Sequence, residues 1–213
     1  MSAAPEAGAE SGQDLLKKSR LLVFDFDGTL VDSVPIKFQA FDRCFEKFPA
    51  QREKIRAFCR GNNHTPRWEK FKTVYEEILH LPYTREIEQE LHRRFERETT
   101  EQIARAPEIP GASEFLSRVH TTHRTALLSS TPHEILLEIL EKRGWSGLFQ
   151  SVQGAPVNKG EWLKHLTSQG FTKTEVLFFG DTPEDASAAR EAGCGFIYVP
   201  DLPDFRGLMG GTW

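Results

Sequence analysis

The apolar positions of this chain change their period more than once. Leu21-Leu22-Val23-Phe24 is an unbroken run of β-formers that breaks into Asp25, Asp27, Gly28 and Thr29. That is the pattern of a strand buried on both faces and running out into a loop. From Ser33 to about Arg105 the spacing turns helical. Trp68, Phe71, Val74, Tyr75 and Ile78 follow at steps of three, three, one and three, one stripe along a helix face that is expected to be core. Thr65-Pro66 ahead of the stripe supplies an N-cap and a proline for the first turn. Ile87, Leu91 and Phe95 continue at steps of four behind a Thr84 cap, and Ile36, Phe38, Phe41, Phe45 and Phe48 predict another helix. No strand is predicted here, so residues 33–106 are expected to form a separate helical bundle.

Ala106-Pro107-Glu108-Ile109-Pro110-Gly111 reads as a linker. Beyond it, strand and helix patterns alternate. Thr125 to Leu128 is strand-like and ends at Ser129-Ser130; Thr131-Pro132-His133-Glu134 then resembles a capping box, with Thr131 as N-cap of a helix reaching Gly144. Phe149 to Gln153 is a weaker strand, and Asn158 to Glu161 has a similar cap spacing for a helix closed by Gly170. Val176 to Phe179 runs into Gly180-Asp181, Thr182-Pro183-Glu184 opens a helix that Gly193 closes, and Gly195 to Val199 is the last strand. Such alternation predicts an α/β fold, a parallel sheet with helices on both faces. Residues 1–19, beginning Met-Ser-Ala-Ala-Pro-Glu-Ala-Gly, are expected to be a flexible tail.

Composition narrows the class. The 213 residues include 16 Phe, too aromatic for a disordered chain. The formal net charge is −4, so binding to nucleic acid through bulk charge is not expected. No apolar run approaches the roughly 18 residues of a membrane span, and the N-terminus has neither a basic nor an apolar leader region, so a cytoplasmic monomer is expected. Cys44, Cys59 and Cys194 lack metal-ligand spacing and read as free thiols. His64, His133 and His165 are equally scattered and read as surface or capping residues.

Ligands of open parallel sheets bind at the carboxyl ends of the strands. In this chain those ends carry Asp25 and Asp27, Ser129 and Ser130, and Asp181, with Lys159 just past the third strand. Clustered carboxylates repel one another, and a hard divalent cation relieves the repulsion. Mg²⁺ suits such a site, because it takes oxygen ligands and lets a phosphate complete its shell. Ser129, Lys159 and helix-start amides would hold that phosphate. A carboxylate beside it can attack phosphorus, and an acid two residues away can serve the leaving group and then water.

The motifs themselves resemble the haloacid dehalogenase (HAD) superfamily, in its phosphatase branch with an α-helical C1-type cap, similar to phosphoglycolate phosphatases. Asp25-Phe26-Asp27-Gly28-Thr29-Leu30-Val31-Asp32-Ser33 resembles the first motif, Ser129 the second, Lys159 the third, and Gly180-Asp181-Thr182-Pro183-Glu184-Asp185 the fourth. The resemblance implies a Rossmann-like core over 20–32 and 107–213, with the cap over 33–106. It implies Asp25 as nucleophile and metal ligand, Asp27 as general acid/base with its main-chain carbonyl on Mg²⁺, and Asp181 as the third metal contact. Asp185 would support the site through Lys159 or a metal-bound water. Gly28, Thr29, Ser129, Ser130 and Lys159 would meet the phosphate. The polar, partly basic loop from Arg60 to Arg67 before the Trp68 helix is expected, from its own residues, either to reach over the site toward the leaving group or to be a solvated connection between helices. An Asp at position 27 favours phosphate-ester hydrolysis over carbon–halogen cleavage. The implied reaction is Mg²⁺-dependent hydrolysis of a small phosphorylated metabolite such as phosphoglycolate, a sugar phosphate or a nucleotide monophosphate. A phosphosugar mutase and a non-catalytic phospholigand-binding protein are the alternatives.

Overall fold

The structure, a computed structural model, describes residues 10–62 and 65–210. Five parallel strands form one sheet: β1 Leu21–Phe24, β2 Arg124–Pro132, β3 Ser151–Ala155, β4 Val176–Gly180 and β5 Gly195–Tyr198. Their order is β3-β2-β1-β4-β5. The chain therefore winds outward in both directions from β1, which places the reversal of strand order beside the end of β1. Successive residues of β1 feed opposite faces. Leu22 and Phe24 join a cluster with Phe115, Phe179 and Phe205, whereas Leu21 and Val23 join one with Leu128, Leu163 and Phe178. Both faces are dry, which is why the sequence of this strand is continuously apolar.

Helices cover both faces: α6 Ala112–Val119, α7 His133–Arg143, α8 Lys159–Ser168 and α9 Pro183–Ala192, numbered after the helices that precede them in the chain. The predicted stops hold where glycine adopts a left-handed conformation, at Gly144 with φ 69° after α7 and Gly193 with φ 73° after α9.

Between β1 and α6 lie α2 Val34–Cys44, α3 Arg52–Gly61, α4 Arg67–Thr73 and α5 Arg85–Ala104. They enclose their own apolar cluster of Phe41, Phe45, Phe71, Tyr75, Leu91 and Phe95. The stripe predicted from Trp68 onward continues past α4 through a π-helical turn, Val74–Ile78. Trp68 itself departs from the expected core face and is 49% exposed. The two connections of this insertion run side by side: the Asp32 N–H donates to the Pro107 carbonyl (2.9 Å) and the Ile109 N–H to that of Leu30 (3.0 Å). The end of α5 is fastened to the core by Arg143, whose Nη1 donates to the carbonyls of Ile103 (3.1 Å), Ala104 (3.2 Å) and Ala106 (2.9 Å).

Three expectations are corrected. Residues 1–9 of the expected tail lie outside the described residues, but Gly12–Lys18 is helix α1, capped by Ser11, with Leu16 buried in the core. Thr65 does not cap α4; Pro66 occupies the cap position, with no side-chain bond there. Thr131 does not cap α7, because β2 runs on through Pro132 and Thr131 turns its hydroxyl elsewhere. No helix among the described residues is long and apolar enough to cross a membrane.

Candidate active site

Asp25 directly follows β1, its N–H donating to the Phe179 carbonyl at 2.9 Å, so its position is set by the sheet. The side chain is only 5% exposed. Lys159 opens α8 behind an Asn158 cap, and its Nζ lies 3.1 Å from Asp25 Oδ1 and 2.7 Å from Asp185 Oδ1. Asp185 is held in turn: its Oδ2 accepts from the Thr182 N–H (3.1 Å) and hydroxyl (2.7 Å) at the start of α9. The strand end leaves little room here, since a Cβ on Gly180 would stand 2.5 Å from that of Asp185.

Asp181 follows β4 and accepts the Thr29 hydroxyl at 3.1 Å. Gly28 has φ +81°, and a Cβ there would lie 2.3 Å from Asp181 Oδ2. This turn thus requires glycine for two reasons, a left-handed backbone and the approach of a carboxylate. Carboxylate oxygens of Asp25, Asp181 and Asp185 lie within 4.8 Å of one another. Burial, then the neighbouring charges, push the Asp25 carboxyl up to about 8 despite Lys159. Burial and Asp185 push Asp181 up to about 6. Burial opposes the charge of Lys159, but Asp25 and Asp185 outweigh it and hold the ammonium above its ordinary range. Hard oxygen donors that repel one another suit a divalent cation such as Mg²⁺.

Asp27 turns away from this group. Its Oδ1 accepts the Ser33 hydroxyl (2.6 Å), and its Oδ2 accepts the Thr131 hydroxyl (2.8 Å) and the Lys37 ammonium (2.6 Å). Burial would raise its pKa, but Lys37, Ser33 and Thr131 prevail and hold the carboxyl below its ordinary value. The two acids of the first motif are therefore held in opposite electrostatic states two residues apart.

The other expected site residues divide. Ser129 is fully buried behind Asp27, 3.4 Å from its Oδ2, and accepts the Thr131 N–H at 3.0 Å; it does not border the cavity. Ser130 and Thr131 border it in its place. Gly28 and Thr29 do not border it either and support Asp181 instead. Arg67 lines the cavity, ion-paired to Glu96 at 3.0 Å and lying over the Phe95 ring at 4.9 Å. Arg60 faces a different hollow, between α2 and α3, and is not at this site. Of the loop expected to reach over the core, Asn63 and His64 lie outside the described residues.

The cavity holds about 170 Å³ between core and insertion. Lys37, Arg67 and Lys70 wall it from the insertion. Lys37, Lys70, Ser33 and Thr131 carry no signal in the sequence that marks them as site residues; Ser33 closes the first motif and Thr131 has the look of a helix cap. Lys37 lies one turn beyond Ser33, a spacing that puts both on one helix face; nothing in the pattern says that this face meets the core. Lys70 is 4% exposed although it adjoins an apolar stripe, and its ammonium faces the Phe41 ring at 5.0 Å.

Burial brings the Lys70 pKa down to about 8 from 10.5. The folded state then binds fewer protons than the unfolded chain between those values, and its stability rises with pH across that window. Lys70→Met, which removes the buried charge, is expected to melt higher than wild type near pH 7. The gap should narrow toward pH 10, as read by thermal unfolding of both proteins; a constant gap would contradict the assigned burial.

A family model described as haloacid dehalogenase-like hydrolase matches residues 22–199. The chain belongs to that family. One relative, a phosphoglycolate phosphatase of Vibrio parahaemolyticus, is 29% identical over 191 residues, spanning 82% of this chain and 81% of its own length. A phosphorylated carbohydrates phosphatase of Thermotoga maritima is 26% identical over 197 residues, 88% and 89% of the two chains. Among solved structures, the HAD-hydrolase YfnB of Bacillus subtilis, bound to magnesium, superposes with a TM-score of 0.65 at 18% identity, covering 86% and 90%. That likeness concerns the fold.

Proposed function

We propose that this member of the family is a Mg²⁺-dependent phosphatase that hydrolyses a small phosphomonoester through an aspartyl-phosphate at Asp25. The observation that carries the reading is the pairing of Asp25 with Lys159 in a buried acidic cluster, while Asp27 is held apart by its own donors. The naming of both relatives as phosphatases supports it.

Asp25 and Asp181, with the main-chain carbonyl of Asp27, would hold Mg²⁺, which supplies positive charge against the phosphate oxygens and the attacking carboxylate. An Asp25 oxygen attacks phosphorus, and the bond from phosphorus to the ester oxygen breaks. Asp27, a carboxylate in the free site, would take up the proton brought by a monoanionic ester and give it to that oxygen; as a carboxylate again it takes a proton from the water that attacks the phospho-aspartate. Lys159 offsets charge on the transferring phosphoryl group and is itself positioned by Asp185. Ser130 and Thr131 at the end of β2 border the space the phosphate would fill. The helical insertion, acting as a cap, would limit water during attack.

The test is inorganic phosphate release from a panel of phosphomonoesters, with Mg²⁺ and with EDTA. Release that requires Mg²⁺ supports the reading. A hexose phosphate isomerised only in the presence of a bisphosphate, without net phosphate release, would replace it with a mutase.

Asp27→Asn carries no transferable proton. It is expected to lower the turnover of an alkyl phosphate by about 10²- to 10⁴-fold, and that of p-nitrophenyl phosphate much less, because nitrophenolate leaves unprotonated. Steady-state rates on the two esters check this; equal losses would contradict the acid/base role.

A further inference from the structure

The cavity beside Asp25 is small. At about 170 Å³ it falls short of the roughly 300 Å³ at which ligand sites begin. A second hollow, of about 720 Å³, adjoins it. Pro66, Arg67, Ser130 and Pro132 border both, so Arg67 and Ser130 stand where one space meets the other. The insertion side of the hollow is one face of α5, where Arg85, Glu88, Gln89, His92 and Glu96 recur at helical spacing. Trp68, half-exposed at the start of α4, borders it as well. The catalytic cavity is lined by many charges, but the hollow sets Arg67 and Arg85 against Glu88 and Glu96 among the described residues. Arg67 and Glu96 are already paired at 3.0 Å. Burial holds the His92 pKa below its ordinary value, so this ring adds little charge near neutral pH.

We propose that this hollow is a leaving-group subsite that takes a nucleoside, with Trp68 as its stacking face, so that the substrate is a nucleoside monophosphate. The inference rests on the phosphatase reading for the orientation of the ligand, phosphoryl end beside Asp25. With that end fixed, a leaving group of two or three carbons ends inside the first cavity, and only a larger one enters the hollow. Balanced charge favours an uncharged body, since an ionic one would have to compete with the Arg67–Glu96 pair. The walls then choose between a sugar and a base. Beyond Ser130, the core side consists of Pro132, Ala155, Pro156 and Val157 among the described residues, side chains without a donor or acceptor. Sugar hydroxyls pressed on that wall would lose water and gain no partner. A heteroaromatic base has apolar faces and a polar edge. It can lay its faces on Trp68 and the apolar wall while its edge meets Arg85, Glu88 and Gln89. The competing role for Trp68 is none at all: single exposed apolar side chains are common, and such a residue would not distinguish one leaving group from another.

The experiment uses the whole protein with Mg²⁺ and compares adenosine and uridine 5′-monophosphates with ribose 5-phosphate, which lacks the base. In wild type, kcat/KM for the better nucleotide is expected to exceed that for ribose 5-phosphate by about tenfold or more. Trp68→Ala should raise KM for that nucleotide about tenfold, with kcat and the kinetics on ribose 5-phosphate little changed. Trp68→Phe, which keeps an aromatic face, should retain most of the preference. The side chain is half-exposed, so both variants are expected to melt as wild type does. Ribose 5-phosphate or phosphoglycolate turned over as well as either nucleotide would overturn the proposal and leave the phosphatase reading standing. So would an equal loss on nucleotide and ribose 5-phosphate in Trp68→Ala, or a nucleotide preference that survives it. If no ester released phosphate, the phosphatase reading would fall, and calorimetric titration with adenosine and uridine 5′-monophosphates and ribose 5-phosphate would still decide the hollow. Tighter binding of a nucleotide that Trp68→Ala abolishes would support the subsite, and equal binding would overturn it.

Discussion

Asp25→Asn is expected to lower phosphate release by about 10⁴-fold or more while leaving a folded protein with a cooperative melt. The loss follows from chemistry, because an amide oxygen is a poor nucleophile toward phosphorus and no other carboxylate occupies this position. Asp181 is turned toward Thr29, and Asp185 is taken up by Thr182 and Lys159. The fold should survive because the N–H of residue 25 donates to the Phe179 carbonyl whatever the side chain, and Lys159 keeps Asp185 as its partner. The substitution also removes a carboxyl whose pKa stands at about 8 rather than 3.8. An acid raised in the folded state makes the protein less stable as pH rises between those two values. In EDTA, the variant should therefore lose less stability than wild type between pH 5 and pH 8.5, across much of that window. Phosphate release and thermal unfolding in EDTA check the two halves. Retention of more than about a hundredth of the wild-type rate would mean that Asp25 is not the nucleophile.

Lys159→Met is expected to cost both activity and stability. Among the described residues its ammonium is the one core cation at the cavity, and it touches Asp25 and Asp185 together. Removing it should lower kcat by about 10²- to 10³-fold, since charge building on the phosphoryl oxygens loses a fixed counter-charge. It also leaves two buried carboxyl groups without their cation, a change of about 3 kcal/mol in comparable buried pairs. The sign with pH is definite. Losing Lys159 raises the Asp25 pKa further, so the stability deficit against wild type should grow as pH rises and shrink toward pH 5, where Asp25 takes up its proton and needs no partner. Urea unfolding of both proteins in EDTA at the two ends of this range measures it. A deficit that is the same at both would show that Lys159 contributes packing rather than charge.

The insertion explains why a site of this kind needs more than a sheet edge. Ser33 and Lys37, on the first turn of the insertion, reach Asp27, and Arg67 and Lys70 from α4 complete the far wall. Any movement of the insertion would carry away both the donors to Asp27 and the far wall of the cavity.

Much of the site was legible in the sequence because its parts are local. A strand that stops at an acid and a Thr-Pro helix start are written within a few residues each, as at Phe24-Asp25 and Thr182-Pro183. The parallel-sheet rule then gathers the strand ends on one edge, so Asp25, Asp181 and Lys159 could be grouped without coordinates. Contacts between distant elements decided the rest. The hydroxyl of Thr131 has equally good local uses, and only the extension of β2 through Pro132 sends it to Asp27. Leu16 lies in a stretch whose composition reads as tail, but α1 packs on the turn Phe205–Met209, with Gln13 donating to the Gly207 carbonyl at 3.0 Å. Arg60 and Arg67 look alike in the chain, yet only one faces the cavity. Periodicity tells which positions of a helix are apolar, but not which neighbour its polar flank will meet. That choice is made by the packing of the insertion helices on one another and on the core, and it brought Lys37 to Asp27 and buried Lys70 in the cavity wall.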